Sequence, residues 1–389
     1  MLLHIWLVQV SILTSHSWLV GAMPEPRQEQ SFLATSALEE ILDRGRPLLG
    51  TYEDCSTHSK TCNWMAKVPD NTQLVPPRRR RLTGLVGNYS DARQAELLRY
   101  TGPIPPASTF RCQERSFFEM LNDGIRVFDM RVAYNPGNDT IGFYHAQALL
   151  APTTRMEDVF FGFYHWLDQH PTETVLISIN HEGGTGTPND AQLQQHIYDF
   201  FNTKLAKRYW VQRNGTVCTL GEARGKLTLL QRYDLPLLDP TENPNQIGID
   251  LGPDRWTDNG KSIELVYNQA KNQIAYIEDF YNIVLPTNST LSDQIQAKFD
   301  VSTQHLTNAT LPHLHPDQLY ISFASAAFTP STNPPMTPRL YAVGDGDQVQ
   351  GMNQRLLPWL KQRKGKRFGV IMLDFYDAVP GLVEAVIGI

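Results

Sequence analysis

In the stretch Asn122–Val132, NDGIRVFDMRV, apolar residues alternate as in a buried strand, yet Arg126, Asp129 and Arg131 lie within it. Charges are seldom fully buried unless paired or used. Residues two apart on a strand share a face, so Asp129 and Arg131 can aim a carboxylate and a guanidinium at one cleft. Arg126 reads as a structural pair-maker. Further along, similar runs end in chemistry-bearing residues: His145, His181 with Glu182, Arg232, Asp279 with Tyr281, Ser322, and Asp374. The set holds cations, imidazoles and carboxylates, without an evident nucleophilic Ser or Cys. It suits binding and cleaving a phosphate ester attacked by one of its own hydroxyls or by water. A cation for the phosphate and an imidazole for the leaving oxygen are what that reaction needs.

A single strand-terminal His is ordinarily satisfied by a nearby loop; Arg131 on the preceding strand lifts His145 above that reading. The run after His181, EGGTG, reads as a flexible loop rather than a phosphate cradle. GEARGK fails the Walker spacing, and His313 and His315, flanked by Pro, read as surface loop. Neither G-x-S-x-G nor H-E-x-x-H occurs.

These residues need a scaffold that brings many strand ends together. Strand-like runs are expected at 125–132, 140–145, 174–180, 226–233, 275–281, 319–326 and 368–375, several of them continuously apolar as in parallel sheets. Helical patterns alternate with them. In TRMEDVFFGFYHWLDQH, Met156, Val159, Phe160, Phe163, Trp166 and Leu167 share a face. DAQLQQHIYDFFNTKLAKRYW repeats the pattern, and DQVQGMNQRLLPWLKQR is a third, with Pro358 expected to kink or break it. This alternation predicts an α/β fold, a (β/α)8 TIM-type barrel, with an open doubly wound sheet as runner-up. Residues 235–262 and 327–345 read as loops. In such a barrel, chemistry sits at the carboxyl ends of the strands.

The 389 residues are 41% hydrophobic and 19% charged, an ordinary globular balance, and a net charge of −6 gives no pull toward nucleic acid. The opening run, MLLHIWLVQVSILTSHSWLVGA, reads as a signal peptide cleaved near Ala22, which predicts a secreted, extracellular protein. Sequons at Asn88, Asn138, Asn214, Asn288 and Asn308 support export. Four cysteines suit two disulfides. Cys55–Cys62 is the local pair, leaving Cys112–Cys218. The expected organisation is 1–22 signal peptide, 23–81 irregular N-terminal segment and 82–389 barrel.

MLNDGIRVFDMRV, GFYHAQALL and DVFFGFYHWLDQHPTETVLISINHE resemble the X-domain of phosphatidylinositol-specific phospholipase C, and more narrowly the secreted PLC-like phosphodiesterases of fungi. RGKLTLLQRY, AYIEDFYN and FGVIMLDFYDAVPGLVEAVI fit later strands, so the resemblance covers roughly 82–389. It implies general acid–base cleavage of an inositol phospholipid: the inositol 2-hydroxyl attacks phosphorus, giving a cyclic phosphate and diacylglycerol. It implies catalytic roles for Arg131, His145, Asp129 and Asp374. Arg131 would stabilise the phosphate where calcium-dependent relatives carry acidic ligands, which argues against calcium; no metal and no cofactor is expected. His145 would protonate the leaving oxygen, and Asp374 would orient the base. His181, Arg232, Asp279 and Tyr281 would meet the headgroup. The implied partners are a phospholipid or glycerophospho-inositol substrate and, transiently, a membrane surface; no nucleic acid is implied, and a monomer is expected.

One departure is sharp. The family opens its barrel with an apolar strand ending P-G-T-H-D-S, whose His is the base. Here the chain reads LVPPRRRRLTGLVGNYSDARQ. Either LTGLVG serves as the strand, with Arg78–Arg81 outside it and the barrel distorted, or residues 76–87 are foreign to the family pattern. The nearest residue by position is Tyr89; His58 lies far upstream. The missing His makes a catalytically inactive barrel binding a lipid headgroup or sugar phosphate the rival reading. Glycerophosphodiester or sphingomyelin cleavage, both commonly metal-assisted, is a third.

Overall fold

The computed structural model describes residues 32–389 except 57–58, 75–80, 84–88, 240, 242–246, 287, 312, 331 and 333–334. The leader, His58, Asn88, Arg78–Arg80 and most of 76–87 therefore lie outside the described residues. Two compact units emerge, Met1–Glu39 and Glu40–Ile389. The described part of the first is the start of helix α1 (Phe32–Leu49). This helix lies within 23–81, which the sequence pattern marked as irregular. ATSALEEIL, within α1, is rich in good helix formers, which outweighed the Pro and Gly around it.

The second unit is built on strands β1 (Arg81–Thr83), β2 (Val127–Tyr134), β3 (Ile141–His145), β4 (Ala148–Leu149), β5 (Val175–His181), β6 (Leu227–Arg232), β7 (Ile249–Asp250), β8 (Ile263–Asn268), β9 (Gln273–Glu278), β10 (Leu319–Phe323) and β11 (Val370–Met372). The sheet runs β7-β6-β5-β2-β1-β11-β10-β9-β8. Every pairing from β7 to β9 is parallel, and β8 is antiparallel to β9. Among the parallel strands, chain neighbours are sheet neighbours and the last, β11, lies beside the first, β1. That is the winding of a TIM-type barrel, and among the described residues the ladder is interrupted only between β7 and the β8–β9 hairpin. The predicted fold class holds. The run 140–145 is no barrel strand, however: β3 turns back antiparallel on β2 and pairs with β4.

Between the strands lie α2 (Asp91–Thr101), α3 (Phe117–Asp123), α4 (Met156–Gln169), α5 (Ala191–Asn202), α6 (Lys204–Tyr209), α7 (Leu220–Ala223), α8 (Leu291–Thr310), α9 (Pro338–Val343) and α10 (Met352–Lys361), and α11 (Leu382–Ile387) follows β11. The six apolar residues expected on one face of α4 are all buried. Phe163 meets Phe117 and Phe128 edge-on or tilted, which ties α4 to β2 and α3. The helix α10 continues through Pro358 to Lys361, so the expected break is absent. Only one backbone donor is lost there, at a position whose apolar neighbours Leu356 and Leu360 are fully buried.

Arg126 has the structural role read from its spacing. It is fully buried, with Nε 3.0 Å from Glu173 Oε2 and Nη1 donating to the carbonyls of Leu121 and Ile125. The disulfide Cys55–Cys62 forms. Cys112 and Cys218 do not pair with each other; both are buried thiols. Cys112 precedes α3 and lies near the carboxyl end of β11, its carbonyl accepting from Phe375. Cys218 immediately precedes α7, which leads into the opposite, amino end of β6. Counting cysteines could not see that the barrel separates them.

Candidate active site

The period-two alternation of the strands points one set of side chains into the barrel mouth. From β2 come Asp129 and Arg131; from β5, Asn180 and, just past it, Glu182; from β6, Arg232. After β9 come Asp279 and Tyr281, after β10 Ser325, and after β11 Asp374. Together with Cys112, His145, Trp256 and Asp258, most of these line a cavity of about 430 Å³. Asp129 lies directly beneath, 1% exposed.

Asp129 organises the floor. Its Oδ1 accepts from Ser178 Oγ at 2.5 Å and from Arg232 Nη1 at 3.1 Å. Its Oδ2 faces Arg131 Nε at 3.8 Å, and neither atom has a hydrogen-bond partner among the described residues. Arg131 Nη1 reaches both oxygens of Glu182, at 3.4 and 3.2 Å. Burial alone would lower the basicity of Arg131, but Glu182, Asp129 and Asp279 outweigh it and raise the pKa, so the cation is permanent. Arg232 lies 3.8 Å over the Trp256 ring, and Trp256 Nε1 donates to Asp279 at 2.8 Å. Burial raises the Asp279 pKa against the pull of Arg232. Tyr281 donates to Asp258 at 2.6 Å, and this bond, with burial, pushes its hydroxyl up to about 12.

His145 ends the β3 arm of the hairpin. Its Nδ1 sits 2.6 Å from the Phe110 carbonyl, which can only accept, so Nδ1 carries the proton and Nε2 a lone pair. Burial and then the Arg131 charge lower its pKa, keeping the ring neutral. The next residue, Ala146, takes a left-handed φ of 50° and donates its N–H to Glu182 Oε1 at 2.9 Å. One carboxylate thus joins the Arg131 guanidinium to the imidazole's hairpin.

Asp374 is 6% exposed, and burial pushes its carboxyl up to about 8, with the Cys112 thiol beside it. Burial and then Asp374 push the Cys112 thiol well above its ordinary value.

The expected residues Arg131, His145, Arg232, Asp279, Tyr281 and Asp374 converge on the cavity, with Asp129 below. His181 does not line it. Asn180 and Glu182 take the inward positions of that strand end, which turns His181 to the other face. Ser322 is fully buried outside the cavity lining, bonded to His305 Nδ1 at 2.7 Å. His315 stacks on Tyr276 at 3.8 Å. Tyr89 is 2% exposed against Phe110 and outside the cavity lining. Sequence reasoning passed over Cys112, Asn180, Trp256 and Asp258. Only Asn180 carried a signal, standing two before Glu182.

The family described as phosphatidylinositol-specific phospholipase C, X domain, matches residues 108–233. The chain is 26% identical over 170 residues to PI-PLC X domain-containing protein 2 of Mus musculus, covering 38% of this chain and 48% of that protein. It is 28% identical over 96 residues to PI-PLC X domain-containing protein 1 of Danio rerio, covering 25% of this chain and 31% of that one. The chain thus spans about half the length, or less, of these curated relatives. A solved variant of the phosphatidylinositol-specific phospholipase C from S. aureus superposes with a TM-score of 0.61 at 18% identity, covering 85% of this chain and 97% of that one. The enzyme of the same description from Listeria monocytogenes gives 0.56 at 20%, covering 84% and 98%. These likenesses establish the barrel fold. The residues the family description matches run through β2 to β6 and include Asp129, Arg131, His145, Glu182 and Arg232.

Proposed function

We propose that this chain is a secreted, monomeric phosphodiesterase that cleaves the phosphodiester of an inositol phospholipid, or of a related lipid with a polyol headgroup, without a metal ion. It would work at a membrane surface that it visits transiently. The observation that carries this reading is the convergence of Arg131 and His145 on one carboxylate-lined cavity at the strand ends. Arg131 supplies the fixed positive charge that a pentacoordinate phosphorus requires. Asp279 and Asp258 offer acceptors to ring hydroxyls, and Trp256 with Tyr281 offers apolar faces to a ring. His145, neutral with a bare Nε2, takes a proton in its resting form rather than giving one. That differs from the acid role implied by resemblance. Exposed sequon residues Asn138, Asn214 and Asn288 support the secreted reading.

The test is release of inositol phosphate from phosphatidylinositol vesicles, with and without excess chelator. Release that survives chelator and is lost in His145→Gln is expected. Activity that chelator abolishes and a divalent ion restores would favour a metal-assisted sibling chemistry. A second reading, a headgroup-binding barrel without turnover, has one observation in its favour: His145 is the one imidazole among the described residues lining the cavity. Saturable headgroup binding with no release would select it.

A further inference from the structure

We infer that Asp374 donates the proton to the leaving oxygen while His145 accepts the proton of the attacking hydroxyl, so that an acid–base pair is complete without a second imidazole. This deepens the phosphodiesterase reading and rests on it.

Cleavage with an alkoxide leaving group needs one group holding a lone pair and another holding a proton at the same pH. The cavity offers several ionisable groups, and most are committed. Glu182 is engaged by Arg131 and the Ala146 amide. Asp129 is engaged by Arg232 and Ser178, and Asp279 by Trp256 with Arg232 at 3.9 Å. Asp258 accepts from Tyr281, whose hydroxyl is far too weak an acid. The Cys112 thiol is raised well out of range. His145 and Asp374 remain.

Their surroundings push them in opposite directions. The Phe110 carbonyl holds the Nδ1 proton of His145, and burial and then the Arg131 charge discourage a second proton, so Nε2 keeps its lone pair. Asp374 is buried at the end of β11 with no ion pair among the described residues. The charged group that acts on it, Lys298 on α8, is bound 2.7 Å from Glu278 Oε1. The other group facing it is the neutral Cys112 thiol. A buried carboxyl without a cation keeps its proton, and burial lifts this one to about 8. His145 and Asp374 both line the one cavity, and two groups there with pKa values pushed apart are the arrangement that divides acid from base.

The step balances as follows. The neighbouring hydroxyl oxygen bonds to phosphorus, and its proton passes to His145 Nε2. The bond from phosphorus to the leaving oxygen breaks, and that oxygen takes the Asp374 proton. The products are an alcohol, a cyclic phosphodiester, an imidazolium and a carboxylate. Attack of water on the cyclic ester, with the carboxylate taking the water proton and the imidazolium protonating the opened oxygen, restores both groups.

The test varies the leaving group. Phosphatidylinositol leaves as an alkoxide and needs an acid; a nitrophenyl ester of inositol phosphate leaves as a stable anion and does not. Asp374→Asn, nearly isosteric, should lose roughly 10²–10⁴ in turnover on the first substrate and stay near wild type on the second. His145→Gln should slow both. In the unmodified chain, activity on phosphatidylinositol should fall as pH rises through about 8, while the aryl ester shows no such limb; this needs no variant. Equal loss on both substrates in Asp374→Asn, or no loss on either, would overturn the assignment. If the unmodified chain turns over neither substrate, the phosphodiesterase reading itself fails, an outcome separate from the other two.

Discussion

Replacing Arg131 by Lys keeps a positive charge and removes a shape. The guanidinium holds Glu182 through Nη1 at 3.2 and 3.4 Å, turns Nε toward Asp129 at 3.8 Å, and still lines the cavity. A lysine ammonium reaching this depth meets Glu182 first, because that carboxylate is 7% exposed and needs a cation. One compact charge cannot span Glu182, Asp129 and a phosphate as the branched guanidinium can. The loss should therefore resemble removal of one oxyanion donor, about 10²–10³ in kcat, or roughly 2.7–4 kcal/mol of transition-state stabilisation. Initial rates on phosphatidylinositol in mixed micelles, with kcat and KM resolved, measure it. KM should change less than kcat, because the charge that attracts the ground-state phosphate persists. Because the ammonium keeps Glu182 paired, the urea midpoint should hardly move. A variant within fivefold of wild type, or one whose activity falls only as far as its stability, would make Arg131 a structural partner of Glu182 and refute the reasoning.

Two further outcomes are expected. Arg126→Met strands Glu173 in the core and strips donors from the carbonyls of Leu121 and Ile125, so urea unfolding should show a loss of about 3–5 kcal/mol, and adding Glu173→Leu should recover much of it. Alkylation without reductant should add nothing to the folded chain and two adducts after unfolding, read by mass, since Cys112 and Cys218 are buried thiols; no adducts after unfolding would restore the Cys112–Cys218 disulfide.

The strand bearing Asp129 and Arg131 was legible because charge in an apolar alternating run has few uses, and period two gave the shared face. The same rule separates Arg126 from Arg131: five residues apart, they cannot face the same way, and one pairs with Glu173 while the other lines the cavity. His181 failed by the same arithmetic, one residue out of phase with Asn180 and Glu182. β7 has two residues, too few for any periodicity to register. Trp256 and Asp258 stand in the irregular segment after β7, where no pattern marks direction, and their partners Arg232 and Tyr281 are distant in sequence. The identity of the proton acceptor was also invisible, because it depends on which carbonyl faces His145 Nδ1, and Phe110 is 35 residues away.

The guanidinium and the imidazole stand on different kinds of support. Arg131 belongs to a strand matched residue for residue with β5 from Val127 to Val132, so its position is inherited from the whole barrel. His145 stands at a two-residue hairpin corner, Ala146 and Gln147, whose left-handed first residue is tethered by Glu182. Changes at that corner can retarget the imidazole without disturbing a single barrel strand. The two side chains can therefore be repositioned independently of one another: positions 146 and 147 set the imidazole, and the β2–β5 ladder sets the guanidinium.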